Sequence, residues 1–204
     1  MAPTGGGVTE ESAFRTRFPE DEAREAWLAL LLDFYAVLDA GVAAAITADG
    51  RRPACRSGCA ACCRQPIPAS SLEVLGLTWY AHKRLRGRKR RALRGLLEIV
   101  AEGTDCPFLV EDACAVYPLR PMACREFVML GRPCRNGEQP TVTRAADLLP
   151  LPQAAQYRAF RHMLPFYGVT DPALCEAALR DKLVLRDTAI LQGRDWSWLA
   201  KILV

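Results

Sequence analysis

"AWLALLLDFYAVLDAGVAAAI", residues 26 to 46, is the stretch on which the architecture turns. It is long and apolar enough for a bilayer span or for the central helix of a globular core. Asp33 and Asp39 separate the two readings, because each costs roughly 2.5 to 3.5 kcal/mol near a bilayer centre. The spacing of Trp27, Leu30, Leu31, Phe34, Val37 and Leu38 predicts a helix from about Glu20 to Thr47, ended by "ADGRRP". The stretch reads as a core helix, and no membrane partner is expected.

Toward the N-terminus, "MAPTGGGVTEESAFRTRF" has no apolar run after its first charges. It reads as a loose tail over residues 1–18 and not as a secretory signal, which makes a reducing, cytoplasmic location the expectation. Residues 19–204 then form a single domain. With 204 residues, 50% of them hydrophobic and 25% charged, the chain can bury a core without help from disulfides.

Beyond the long helix the pattern stays helical. Ser70 and Glu73 have the capping-box spacing, with Leu72, Leu75 and Trp79 on the face that follows. A helix is predicted from Lys89 to Glu102, stopped by Gly103, and others from about Gln153 to Phe166, from Pro172 behind an Asp171 cap, and in "WSWLAKILV". Residues 104–142 are rich in proline and glycine and hold no long helix, although "VED" within "CPFLVEDACAVY" can turn a short hairpin. The fold class is mainly α: one helical domain with two irregular cysteine-rich loops and at most a short β-hairpin.

Those loops carry the chemistry. "ACRSGCAACCRQP", residues 54 to 66, places Cys55, Cys59, Cys62 and Cys63 within nine positions, and the second loop adds Cys106, Cys114, Cys124 and Cys134. A Cys-x-x-Cys step lets two thiolates converge on one metal, and thiolates select zinc, copper(I) or Fe–S clusters. A disulfide framework suits small secreted chains, so the odd count of nine cysteines in a chain without a signal peptide favours metal. On an extended backbone the adjacent Cys62 and Cys63 point to opposite sides, which suits two ions or a multinuclear cluster better than one ion. The metal-binding core is expected over about residues 50–140, with Cys175 left as a small apolar residue in a helix.

Charge fits this reading. Arginines 51, 52, 56 and 64 flank the first cysteine group and 120, 125, 132 and 135 the second, as compensating charges for an anionic thiolate centre. A separate basic run, "KRLRGRKRRALR" at residues 83–94, carries eight Lys or Arg and no acid; it reads first as a solvated helix face. The alternative function is a zinc-stabilised, non-enzymatic binding module that contacts nucleic acid or an acidic partner through this segment. Two histidines are too few for a histidine-based site, and no phosphate loop, nucleotide fingerprint or serine-centred motif is present.

The conjunction of Cys55, Cys59, Cys62 and Cys63 with "CPFL" from Cys106 and "CAVYPLRPMACR" from Cys114 resembles the CxxxCxxCC proteins, also called YkgJ-type cysteine-cluster proteins. The matching residues include Tyr117, Arg120, Pro121, Cys124 and Arg125, and Cys134 corresponds to a later cysteine of many members. The resemblance implies a zinc, iron or Fe–S centre, with an oxidoreductase role or, in one larger branch, lysine N-methylation of flagellin. The extra region of that branch has no counterpart here. Cys55-x₃-Cys59-x₂-Cys62 also has the spacing of radical S-adenosylmethionine enzymes, but no alternating strands and helices follow it. Tyr117, Arg120 and Glu126 sit among the cysteines, and packing or surface roles suit them better than catalysis, so no catalytic residue is assigned.

Overall fold

A computed structural model of the protein describes residues 16–55, 59–99, 105–135 and 137–204. Among them are ten α-helices and two small sheets of two strands each, so the protein is mainly α. The expected long first helix divides in two: α1 is a single turn, Pro19–Glu22, and α2 runs from Ala26 to Asp49. The backbone N–H of Phe18 donates to the Glu22 carboxylate at 2.6 Å and closes the first turn on itself. α2 ends where Gly50 adopts φ 77°, a left-handed conformation that glycine takes without a Cβ clash, and returns its N–H to the Ile46 carbonyl.

By length and composition α2 would pass for a membrane span. In the fold it lies against α7 (Gln153–Phe160), α3 (Ser71–Lys83) and α5 (Met122–Glu126). Leu28, Leu31, Phe34 and Leu38 are fully buried there with Leu72, Leu119, Phe160 and Met163. Gly76 of α3 permits the close approach, since a Cβ there would come within 2.3 Å of the Leu31 side chain. Phe18 packs edge-on against Trp79 of α3, their ring centroids 5.0 Å apart.

The capping box is present: Ser70 Oγ accepts from the Glu73 N–H at 3.4 Å, and Glu73 accepts from the Ser70 N–H at 2.9 Å. α4 (Gly87–Ile99) occupies the expected place, but the Gly103 stop lies outside the described residues. Leu93 and Leu97 of α4 join a second apolar cluster with Phe108, Val116, Trp196 and Leu199. The hairpin forms as β2 (Leu109–Val110) and β3 (Ala113–Cys114), with Glu111 and Asp112 both at positive φ, the twist a two-residue hairpin turn needs.

The remaining elements are short. α6 is Pro140–Thr143, and α7 stops at Phe160, short of the expected Phe166, where Pro165 permits only a 3₁₀ turn over Leu164–Tyr167. Asp171 caps α8 (Pro172–Arg180) as expected, accepting from Ala173 and Leu174 N–H groups at 2.9 and 3.1 Å. α9 is Leu183–Arg186 and α10 Ser197–Ile202. One pairing has no counterpart in the sequence reading: β1 (Pro68–Ala69) runs antiparallel to β4 (Ala189–Ile190) and ties the first cysteine loop to the C-terminal region.

Candidate metal centre

The two cysteine loops are joined through their backbones. Ala54 N–H donates to the Met129 carbonyl at 2.7 Å and Gly131 N–H to the Arg52 carbonyl at 2.8 Å, forming a short antiparallel seam at Pro53 and Leu130. Farther on, Cys106 N–H donates to the Cys63 carbonyl at 2.7 Å. The first seam presents Cys55, whose sulfur accepts from Met129 N–H at 3.2 Å. The second contact brings Cys63 and Cys106, both buried, side by side in the apolar cluster around Phe108.

Between these joints lies a cavity of about 560 Å³. Seven of the eight expected ligands line it: Cys55, Cys59, Cys62, Cys63, Cys106, Cys114 and Cys124. Cys134 does not. It lies outside the lining but close enough to Cys55 and Cys59 to feel their charge, with the Arg144 guanidinium 3.8 Å from its sulfur, and Arg144 in turn is fixed by Glu138 at 2.8 Å. Cys175 is on α8, away from the cavity, its thiol directed to the Val169 carbonyl. Neither histidine reaches the cavity wall.

Cys62 and Cys63 correct one expectation. Ala61–Arg64 is a 3₁₀ turn, not extended chain, so the two side chains are not set on opposite sides as an extended backbone would set them. The adjacent Cys63 thiol holds Cys62 below an ordinary thiol against the opposing effect of burial, with Arg120 assisting. The adjacent Cys62, then burial and the neighbouring Cys106 and Cys124, raise Cys63 far above an ordinary thiol. Burial pushes Cys106 up to about 12 and raises Cys124, with Cys62, Cys106 and Cys114 adding to the rise at Cys124. Such crowded thiols stay protonated until a cation arrives, and a bound metal reverses the balance by displacing the protons.

Positions of the supporting side chains differ from the sequence reading. Arg125 lines the cavity but its donors are taken elsewhere: it pairs with Asp39 of α2 at 2.5 Å, donates to the Pro118 and Arg120 carbonyls at 2.7 and 2.9 Å, and stacks on Tyr35. Arg51 pairs with Asp49, Arg64 with Asp105 and Asp112, and Arg132 with Glu138, so these three are balanced by carboxylates. Arg56 lies outside the described residues. Among the described arginines of this set, Arg120 alone both lines the cavity and favours ionisation of Cys62 and Cys114, while its guanidinium covers the Tyr117 ring at 4.2 Å.

Two carboxylates complete the frame. Buried Glu73 accepts from Met122 N–H at 2.6 Å, joining the capped start of α3 to the start of α5, the helix that carries Cys124. Glu126 takes a hydrogen bond from Gln156 at 3.0 Å, and burial raises its pKa to about 6; it does not line the cavity. The Asp39 role was hidden in the sequence, where its one signal was an acid on an otherwise apolar helix.

The donor set fits a thiophilic metal, since sulfur is the prevailing donor around the cavity. Among the described residues, no three Cys, His, Asp or Glu side chains converge closely enough to bind one ion as they stand. The thiols line an open space and do not close into a tetrahedron.

A helical scaffold that holds two cysteine loops around a common cavity defines a cysteine-cluster protein. Residues 54–147 match the model of the CxxCxxCC family, described as a "Putative zinc- or iron-chelating domain". Neither a curated protein nor a solved structure matches the chain.

Proposed function

We propose that the protein is a metal protein in which Cys55, Cys59, Cys62, Cys63, Cys106, Cys114 and Cys124, with Cys134 beside them, hold an iron–sulfur or iron centre, with zinc as the alternative metal. The observation that carries this reading is that seven thiols line one cavity. More than four donors spread around a space suit a centre of several atoms better than a lone tetrahedral ion. The description of the matched family, zinc- or iron-chelating, supports metal of either kind.

An iron–sulfur centre supplies one-electron chemistry when bound, and a redox or group-transfer role follows from it. The chain's own residues contribute the setting. Arg120 offsets negative charge at the thiols, the Asp39–Arg125 pair fixes α5 against α2, and apolar clusters on two sides limit water. This many thiols persist in a reducing compartment, which places the protein in the cytoplasm in this proposal.

The binding-module alternative draws on residues 83–94, and much of that charge is used internally. Arg84 pairs with Asp21, Arg88 with Glu111 and Arg94 with Glu98, while Arg90 donates to the carbonyls of His82, Ile202, Leu203 and Val204.

Anaerobic purification followed by metal and acid-labile sulfide analysis tests the proposal. Iron with sulfide is expected. Zinc without sulfide removes the redox role, and protein free of both metals removes the metal function.

A further inference from the structure

The clustered thiols do not share one environment. Cys63 and Cys106 are buried in the apolar cluster of Phe108, Val116 and Trp196, and Cys62, Cys114 and Cys124 pack against that same cluster. Among the described residues, Cys55, Cys59 and Cys134 join none of the apolar clusters. Cys59 is exposed, while Cys55 and Cys134 are half-buried. Cys55 is held instead at the seam between the two loops, where its sulfur accepts from Met129 N–H at 3.2 Å.

Charge divides the thiols in the same way. Cys63 and Cys124 each feel Cys62 and Cys106, whereas Cys134 feels Cys59, and Cys55 feels Cys59 and Cys134. Cys55 also feels Cys62, so the two groups come nearest there. Each group has its own cation. Arg120 favours ionisation of Cys62 and Cys114, and the Arg144 guanidinium lies 3.8 Å from the Cys134 sulfur. The Arg144 side chain is 9% exposed and is fixed by Glu138 at 2.8 Å and Asp147 at 3.1 Å. It also donates to the Arg132 carbonyl at 3.2 Å, which ties down the chain that leads to Cys134. A cation anchored beside a sulfur favours the thiolate, the form that binds metal.

We propose that Cys55, Cys59 and Cys134, beside Arg144, form an outer site for a single thiophilic metal ion, separate from an inner centre held by Cys62, Cys63, Cys106, Cys114 and Cys124. The inference rests on the metal-centre reading and divides its ligands between two sites. Five inner thiols exceed the four donors of a tetrahedral ion, and three outer ones leave a fourth position open to a small ligand. The outer sulfurs do not converge on one point as they stand, so binding draws them together.

The test is metal and sulfide per chain, with the absorption spectrum, for the full chain and its variants purified without oxygen. Cys55→Ser and Cys134→Ser should each lose the same one ion and keep the remaining metal, sulfide and spectrum of the parent. Cys114→Ser should lose the inner metal and retain the outer ion; should it fail to fold, the two outer variants decide alone. With cobalt(II) loaded in place of the native metal, the parent minus Cys134→Ser difference spectrum should show tetrahedral thiolate absorption that imidazole shifts. Unchanged metal in both outer variants, or loss of all metal together in either, overturns the outer site while the metal reading stands. A difference spectrum indifferent to imidazole overturns the open position. A chain that purifies without metal overturns both the outer site and the metal reading.

Discussion

The Cys106 N–H donates to the Cys63 carbonyl at 2.7 Å, so the two cysteine loops meet through main chain as well as through any shared metal. Around this contact the apolar clusters on α2 and α4 are built from side chains that are not metal donors, Leu31, Phe34, Leu93 and Phe108 among them. The metal centre therefore completes a folded scaffold. Chelation under reducing conditions should leave the far-ultraviolet helical signal nearly intact and lower the thermal midpoint. Collapse of the helical signal on chelation would show that metal organises the whole fold.

Position within the cavity ranks the cysteines. Cys106→Ser and Cys124→Ser remove buried donors and should abolish most of the bound metal, measured as metal per chain after desalting. Cys175→Ser should leave metal content unchanged, because that thiol is on α8. Cys134→Ser should fall between them, since Cys134 is outside the cavity lining.

Arg125 and Asp39 form a pair with side chains 5% and 18% exposed. Breaking a buried pair on one side costs about 3–5 kcal/mol, because the partner keeps its desolvation without compensation. Arg125→Met should destabilise by that order in urea unfolding, and combining it with Asp39→Leu should recover much of the loss. An additive double variant would show that the two residues are not coupled.

Asp187 gives the clearest dependence on pH. Burial opposes its ionisation, but hydrogen bonds from Tyr167 at 2.7 Å and from Ser71 N–H and Oγ at 2.7 and 2.8 Å outweigh it and hold the carboxyl below its ordinary value. With the folded value depressed, its contribution is present above the unfolded pKa of about 3.9 and is lost as pH falls through the lower folded value. Asp187→Asn should thus be less stable than the parent at neutral pH, with the gap closing toward pH 3 and below in thermal melts. A constant gap over that range would remove Asp187 as its source.

Local signals were legible from the chain alone. Ser70 with Glu73, Asp171 with Pro172, and the "VED" turn each satisfy backbone groups within a few residues, so a short window contains the whole cause. Which cysteines share a cavity depends on the seam of Ala54 with Met129 and on the Glu73 bond to Met122, and both join distant positions. The β1–β4 pairing is two residues long on each side, too short for any alternation to register. Beside Cys124 in sequence, Arg125 has the look of a thiolate counter-charge; its partner in space is Asp39, on another helix. The Cys62–Cys63 geometry was missed for a local reason, a 3₁₀ turn where extended chain was expected.

Coordination by sulfur is measured most directly by X-ray absorption at the metal edge of protein purified without oxygen. The expected first shell is sulfur at about 2.3 Å, and it should be depleted in Cys106→Ser and Cys124→Ser but not in Cys175→Ser. A first shell made of nitrogen and oxygen at about 2.0–2.2 Å would contradict a thiolate centre.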